Sequence, residues 1–155
     1  MSDAPYIAVV GPGRATAEQV AAAEAVGRGL AEGGAILVCG GLGGVMEAAC
    51  RGAKDAGGTT VGILPGAERG TANAWVDVAI PTGLGEARNA LVVRAADALV
   101  AVGGEYGTLS EIGLALKAGK RVIGLGTWNL DREPDPITRA RDAGEAVLLA
   151  LRAVR

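Results

Sequence analysis

Residues Asp97–Leu125, DALVAVGGEYGTLSEIGLALKAGKRVIGL, decide the fold. They divide into an apolar run, a glycine turn at Gly103–Gly107, an amphipathic run ending at Gly119, and a second apolar run. That order and those lengths predict a strand, a helix and a second strand parallel to the first. The glycines fall where the first strand ends and the helix begins. A glycine-rich turn at that point leaves backbone N–H groups free to face an anion.

Outward from this unit, strands and helices alternate. Tyr6–Val10 reads as a strand, followed by Gly11-Pro12-Gly13. Thr16 and Gln19 have capping-box spacing, and Val20, Ala23, Val26, Gly27 and Leu30 share one helical face that Gly33-Gly34 ends. Ala35–Cys39 is a second strand, Gly40-Gly41-Leu42-Gly43-Gly44 a second glycine turn, and Val45–Ala56 a helix burying Met46, Ala49, Cys50 and Ala53. Thr59–Leu64 reads as a strand, 67–75 as a surface loop, and Val76–Ile80 as a short strand closed by Pro81. Gly85–Ala95 reads as a helix carrying Arg88, Asn89 and Arg94. Ala98–Val102, a helix at Thr108–Ala118 and Arg121–Leu125 belong to the opening stretch. Gly126–Pro136 reads as an irregular loop, and Thr138–Leu151 as a closing helix. The strands are continuous apolar runs, as expected where both faces are covered, and crossovers of this length are parallel and right-handed. The expected architecture is α/β: a Rossmann-like, doubly wound parallel sheet in three layers, forming a single domain over 1–155.

Composition removes several functions. Glycine accounts for 26 of 155 residues, well above the ~7% that is usual, and it clusters at the ends of apolar runs. The net charge of −2, from 15 basic and 17 acidic residues, provides no broad basic surface for nucleic acid. There is no phenylalanine and only 3% aromatic residues, which argues against a platform for single-stranded nucleic acid. The absence of histidine removes histidine bases, Ser-His-Asp triads and histidine-bound metals. Cys39 and Cys50 have no second pair; they read as buried free thiols, and no metal site is expected. No apolar run approaches the ~18 residues of a membrane span. The segment Met1–Pro5 has no basic region of a signal peptide, so the expected location is the cytoplasm.

Ligands of an open parallel sheet bind beyond the carboxyl ends of its strands. Three glycine turns lie there: Gly11–Gly13, Gly40–Gly44 and Gly103–Gly107. One alone would serve only to turn the chain; three on one edge point to a phosphate-bearing ligand. A dinucleotide enzyme is excluded because Thr16 stands where the third glycine belongs and Cys39-Gly40 where the acidic residue belongs. No Gly-Lys-Ser/Thr of a P-loop ATPase is present. Glu111 has two readings: it closes a capping box with Thr108, or it puts a carboxylate at the ligand edge, to steady a sugar cation or activate water. Arg88 is either a solvated helix residue or a fork for phosphate or carboxylate. Asn89 is either a ribose ligand or a surface residue, and Asp97 is structural.

Two motifs carry a family resemblance. Gly40-Gly41-Leu42-Gly43-Gly44-Val45-Met46-Glu47 resembles the second glycine turn of the LOG (Lonely Guy) and lysine decarboxylase-like proteins. Gly103-Gly104-x-x-Gly107-Thr108-x-x-Glu111 resembles their Pro-Gly-Gly-x-Gly-Thr-x-x-Glu signature. Arg88-Asn89, followed by Ala96-Asp97-Ala98-Leu99-Val100, resembles the Arg-Lys segment before it. The similarity runs from Tyr6 to Leu125. It implies a Rossmann-like fold, a homodimer or homotetramer, and a nucleotide-type ligand whose phosphate sits on the glycine turns, with Met46, Glu47, Arg88 and Asn89 beside it. In hydrolases of the superfamily, which cleave the base–ribose bond of nucleoside 5′-monophosphates, Arg88 and Glu111 would match the catalytic pair.

Three departures point elsewhere. Val102 replaces the proline, Asn89 replaces the lysine, and two residues, Glu105-Tyr106, stand between Gly104 and Gly107. These match better the branch that holds molybdenum cofactor carrier proteins and relatives of the DNA-processing A proteins. The leading expectation is therefore a carrier-like protein for a phosphorylated small molecule, a nucleotide or the molybdenum cofactor. The cofactor would be cargo, and no other cofactor is required. The alternative is a phosphoribohydrolase using Glu111 and Arg88. Helices rich in small residues (Ala21–Ala23, Ala48-Ala49) permit close packing and favour self-association mildly. Membrane and nucleic-acid partners are not expected.

Overall fold

The computed structural model describes residues 3–155. Met1 and Ser2, where the segment read for a signal peptide begins, lie outside the described residues. Strands β1 (Tyr6–Val10), β2 (Ile36–Cys39), β3 (Thr60–Leu64), β4 (Val78–Pro81), β5 (Ala98–Val102), β6 (Arg121–Leu125) and β7 (Thr138–Arg139) form one sheet. Their order is β4-β3-β2-β1-β5-β6-β7, and every neighbouring pair is parallel. The helices are α1 (Ala17–Glu32), α2 (Val45–Asp55), α3 (Asn89–Ala95), α4 (Tyr106–Lys117) and α5 (Ala143–Ala153).

The two-residue period of a strand explains the three layers. Ile7 and Val9 of β1 enter one core with Leu37, Cys39, Val100 and Val102, which α1, α2 and α5 cover. Ala8 and Val10 enter the other with Val38, Leu99 and Ala101, which α3 and α4 cover. Burying each valine, leucine or isoleucine contributes about 1.5–3 kcal/mol, so an unbroken apolar run stabilises both layers at once. Ala23, Ala48 and Ala49 are buried in the core, so these small residues serve packing within the molecule, whereas Ala21 is exposed. The α1–α2 contact is so tight that a Cβ on Gly52 would lie 2.0 Å from the Glu24 carbonyl oxygen.

Four expectations are corrected. Thr138 does not open the closing helix. Thr138 and Arg139 pair with Ile123 and Gly124 as a seventh strand, and α5 starts where the Asp142 side chain accepts from the Glu145 N–H. The segment 85–95 is split: Gly85–Arg88 is a tight 3₁₀ turn, and the α-helix begins at Asn89. The fourth strand runs through Pro81, which is tolerated because β4 is at the sheet edge. The helix expected from Thr108 begins at Tyr106, which places Thr108 in its first turn and Glu111 beyond it. Asp97 is structural as read; its carboxylate accepts from the Tyr6 N–H at 2.9 Å.

The chain leaves β1 toward β2 on one side and returns on the other at β5. That reversal opens a crevice beyond the carboxyl ends of β1 and β5.

Candidate functional site

The crevice contains a cavity of about 150 Å³. Of the residues singled out from sequence, Gly11, Gly13, Gly40, Met46, Arg88, Asn89, Gly107, Thr108 and Glu111 line it. Gly41, Gly43, Gly44, Glu47, Gly103 and Gly104 do not. They shape the turns behind it: Gly41 donates its N–H to Cys39 Sγ at 3.3 Å, Gly103 donates to the Leu125 carbonyl at 3.0 Å, and Gly104 lies against Trp128. Gly43 faces the Gly13 carbonyl, and Glu47 is half-buried in the first turn of α2. Gly44 has φ +66°, and a Cβ there would lie 2.3 Å from the Pro12 carbonyl oxygen; this position joins two of the glycine turns and excludes any side chain.

Helix α4 opens onto the cavity. Its N-cap residue, Glu105, is extended and makes no side-chain cap, so N–H groups of the first turn face outward without an internal partner. Thr108 is only 2% exposed, and among the described residues its Oγ1 has no hydrogen-bond partner. An unpaired buried hydroxyl costs about 1–3 kcal/mol. The positive end of a helix and an unused hydroxyl thus meet in one cavity, as an anion site requires.

Arg88 is not a solvated helix residue. Its Nε donates to the Ile63 carbonyl at 2.9 Å, its Nη2 to the Gly40 carbonyl at 3.3 Å, and its Nη1 to Asn89 Oδ1. The fork ties the ends of β2 and β3 to α3 and sets the guanidinium in the cavity wall. Asn89 is buried, not a surface residue, and its amide is committed to the protein. It accepts from Arg88 and donates through Nδ2 to Ser110 Oγ at 3.1 Å, which in turn donates to the Gly107 carbonyl at 2.7 Å.

Glu111 does not cap a helix. It is 7% exposed, lines the cavity, and among the described residues has no ion pair within 4.0 Å. Burial pushes its carboxyl up to about 8, against the opposing pull of the Arg88 guanidinium. At neutral pH it is therefore mostly protonated and can donate a hydrogen bond.

With this geometry in place, the comparisons with known proteins fall into a pattern. The SLOG cluster4 family model matches residues 4–151. The chain belongs to that family. An uncharacterized protein of Archaeoglobus fulgidus is 50% identical over 119 residues, covering 77% of this chain and 78% of that protein. Among solved structures, the molybdenum cofactor binding protein of Rippkaea orientalis is 36% identical with a TM-score of 0.93, covering 100% of both chains. The molybdenum cofactor carrier protein of Chlamydomonas reinhardtii is 39% identical with a TM-score of 0.88, covering 97% of this chain and 98% of that one. SLOG cluster4 membership bears out the resemblance read from the two glycine motifs, including the branch with the cofactor carriers.

Sequence reasoning about this SLOG cluster4 chain missed three contributors. Ser110 completes the link from Asn89 to the turn. Pro12 lines the cavity beside Glu105, one of the two residues that lengthen the turn. Trp128, assigned to an irregular loop, donates through Nε1 to the Glu105 carbonyl at 3.0 Å and braces the turn across 23 residues of chain. Cys39 and Cys50 are buried free thiols as read, 3.4 Å apart. Their hydrogen bond holds Cys39 below the ordinary thiol range, and the same bond together with burial pushes Cys50 up. Among the described residues no cluster of three metal-ligating side chains occurs, and no helix is long and apolar enough to cross a membrane.

Proposed function

We propose that this protein binds and carries a phosphorylated small molecule, a nucleotide or the molybdenum cofactor, without converting it. The observation that carries the reading is the unpartnered Thr108 hydroxyl in a cavity at the uncapped start of α4. A phosphate oxygen there accepts from Thr108 Oγ1 and from first-turn N–H groups, and the protonated Glu111 offers a further donor. Arg88 supplies the positive charge of the wall. The molybdenum cofactor ends in a phosphate, so the same donors serve it as cargo, in keeping with the cofactor-binding and carrier roles of the Rippkaea and Chlamydomonas proteins. The proposal includes self-association as a homodimer or homotetramer, which light scattering of the purified protein measures directly.

The second reading, hydrolysis of nucleoside 5′-monophosphates, is favoured by one observation: Arg88 and Glu111 line the same cavity. Two others oppose it. Three donors of the Arg88 fork are engaged by protein acceptors, and a nucleophile or base at position 111 would be ionised only above a pH of about 8. The deciding experiment measures free base released from AMP and a panel of other monophosphates at pH 7 and pH 9, by wild type and Glu111→Gln. No release at either pH, with a phosphorylated pterin or nucleotide found by mass spectrometry on the purified protein, is the expected result. Base release that Glu111→Gln abolishes would replace the carrier reading with the hydrolase.

A further inference from the structure

The cavity is too small for the ligands proposed for it. Small-molecule sites enclose about 300–1,000 Å³, whereas this one encloses about 150 Å³, room for a phosphate and little else. A second depression of about 610 Å³ adjoins it between α3 and α4. Arg88, Asn89 and Gly107 line both, so the two depressions lie on either side of these shared residues. The larger part is bounded by Ala87, Ala90 and Leu114, with Tyr106 at the end nearest α4's start.

Tyr106 is placed for stacking. It is 80% exposed, and its ring centroid lies 5.9 Å from that of Trp128 at an interplanar angle of 31°. Trp128 is itself pinned to the turn through the Glu105 carbonyl and against Gly104. The indole holds one side of the tyrosine and leaves the rest of the ring open. An aromatic side chain with an open face, braced on the turn that would hold a phosphate, suits the flat heterocycle of a nucleotide or pterin.

We propose that the α3–α4 depression is the heterocycle subsite of this protein, with Tyr106 as its stacking residue and Trp128 as the brace that positions it. This rests on the reading of the smaller cavity as the phosphate site. Tyr106 acts on the ring alone: the two residues that lengthen the turn, Glu105 and Tyr106, put an aromatic group at the boundary between the phosphate and ring halves of the site.

The test separates the two halves. In a Trp75→Phe background Trp128 is the sole tryptophan. Trp75 lies at the opposite edge of the sheet, where its carbonyl accepts from Thr60 at the start of β3. Calorimetry and Trp128 fluorescence are followed on adding ribose 5-phosphate, AMP, GMP and neopterin monophosphate. At least one ring-bearing probe is expected to bind about tenfold more tightly than ribose 5-phosphate and to change Trp128 emission. Tyr106→Ala removes that advantage and leaves ribose 5-phosphate affinity unchanged, and Tyr106→Phe keeps it. The exposed position of Tyr106 leaves the fold intact in both variants, which circular dichroism checks. If ribose 5-phosphate binds but no ring adds affinity, or Tyr106→Ala alters the ring probes no more than ribose 5-phosphate, the ring subsite is wrong while the phosphate site stands. If neither ribose 5-phosphate nor any ring-bearing probe binds, both fall.

Discussion

Helices α1 and α4 follow the adjacent strands β1 and β5 on opposite faces of the sheet, and each has near its start a threonine with an acid or amide three residues on. In α1 that spacing is a true box: Thr16 Oγ1 accepts from the Gln19 N–H at 3.1 Å, and Gln19 Oε1 accepts from the Thr16 N–H at 3.0 Å. In α4 the same pattern, Thr108 and Glu111, caps nothing, because the helix has already begun at Tyr106. Three residues of register, Thr16 at the N-cap and Thr108 three positions past it, turn a structural device into an open donor site. A helix start that satisfies itself contributes to stability; one that does not keeps its donors for a ligand. The proposed function requires this asymmetry, and substitutions on either side of it have opposite expected signs.

The largest expected effect is at Glu111. Its carboxyl is raised from 4.5 to about 8 by burial. The folded state therefore binds the proton more tightly than the unfolded chain does. Stability from this group is present below the unfolded value and is lost as pH rises from 4.5 to about 8, with no further loss beyond. The penalty at high pH is on the order of 5 kcal/mol, worth about 10 °C or more in melting temperature for a domain of this size. Glu111→Gln cannot ionise, so thermal melts at pH 9 are expected to place it about 10 °C above the parent, with near-equal melting at pH 4.5. An equal difference at both pH values would mean that the carboxyl is not held neutral by burial. The same proton predicts weaker ribose 5-phosphate binding above pH 8, as the carboxylate begins to repel the ligand.

Thr108→Val comes next in size. Valine keeps the shape and removes a hydroxyl with no partner, so the unliganded protein is expected to gain about 1 kcal/mol. Ribose 5-phosphate affinity should fall about tenfold, the loss of one hydrogen bond to a charged group. Denaturant titration and calorimetry read the two quantities separately. A variant that loses stability and binds as before would show that the hydroxyl has a structural partner, and the contrast with α1 would fail.

What could be read in advance followed from local pattern. The apolar runs of β1, β2, β5 and β6 are buried on both faces, so each announces itself without help from its neighbours. Arg88, Thr108 and Glu111 were identifiable because parallel strands bring their carboxyl ends, and the turns after them, to one edge. β7 was not legible: Thr138 and Arg139 have no strand pattern and are extended only because Ile123 and Gly124 offer a free edge. The start of α4 was not legible either, since Thr-x-x-Gln and Thr-x-x-Glu look alike until burial of Thr108 and Glu111 distinguishes them. Trp128 and Ser110 escaped because their partners, Glu105 and Asn89, are reached through space, and no spacing in the chain encodes that.

The smallest effect tests the closed side of the comparison. Thr16→Ala removes the hydroxyl that accepts from the Gln19 N–H and is expected to cost about 1 kcal/mol, or 2–4 °C in melting temperature for a domain of this size. Gln19 also touches the open side, since its side-chain amide lies against Gly103 in the glycine turn. The substitution leaves that contact in place because alanine retains the backbone N–H that Gln19 Oε1 accepts. Ribose 5-phosphate affinity should therefore be unchanged in Thr16→Ala. A matching loss of affinity would show that α1's cap holds the turn through Gln19, and the two helix starts would then be one coupled unit in which stability and binding cannot be varied apart.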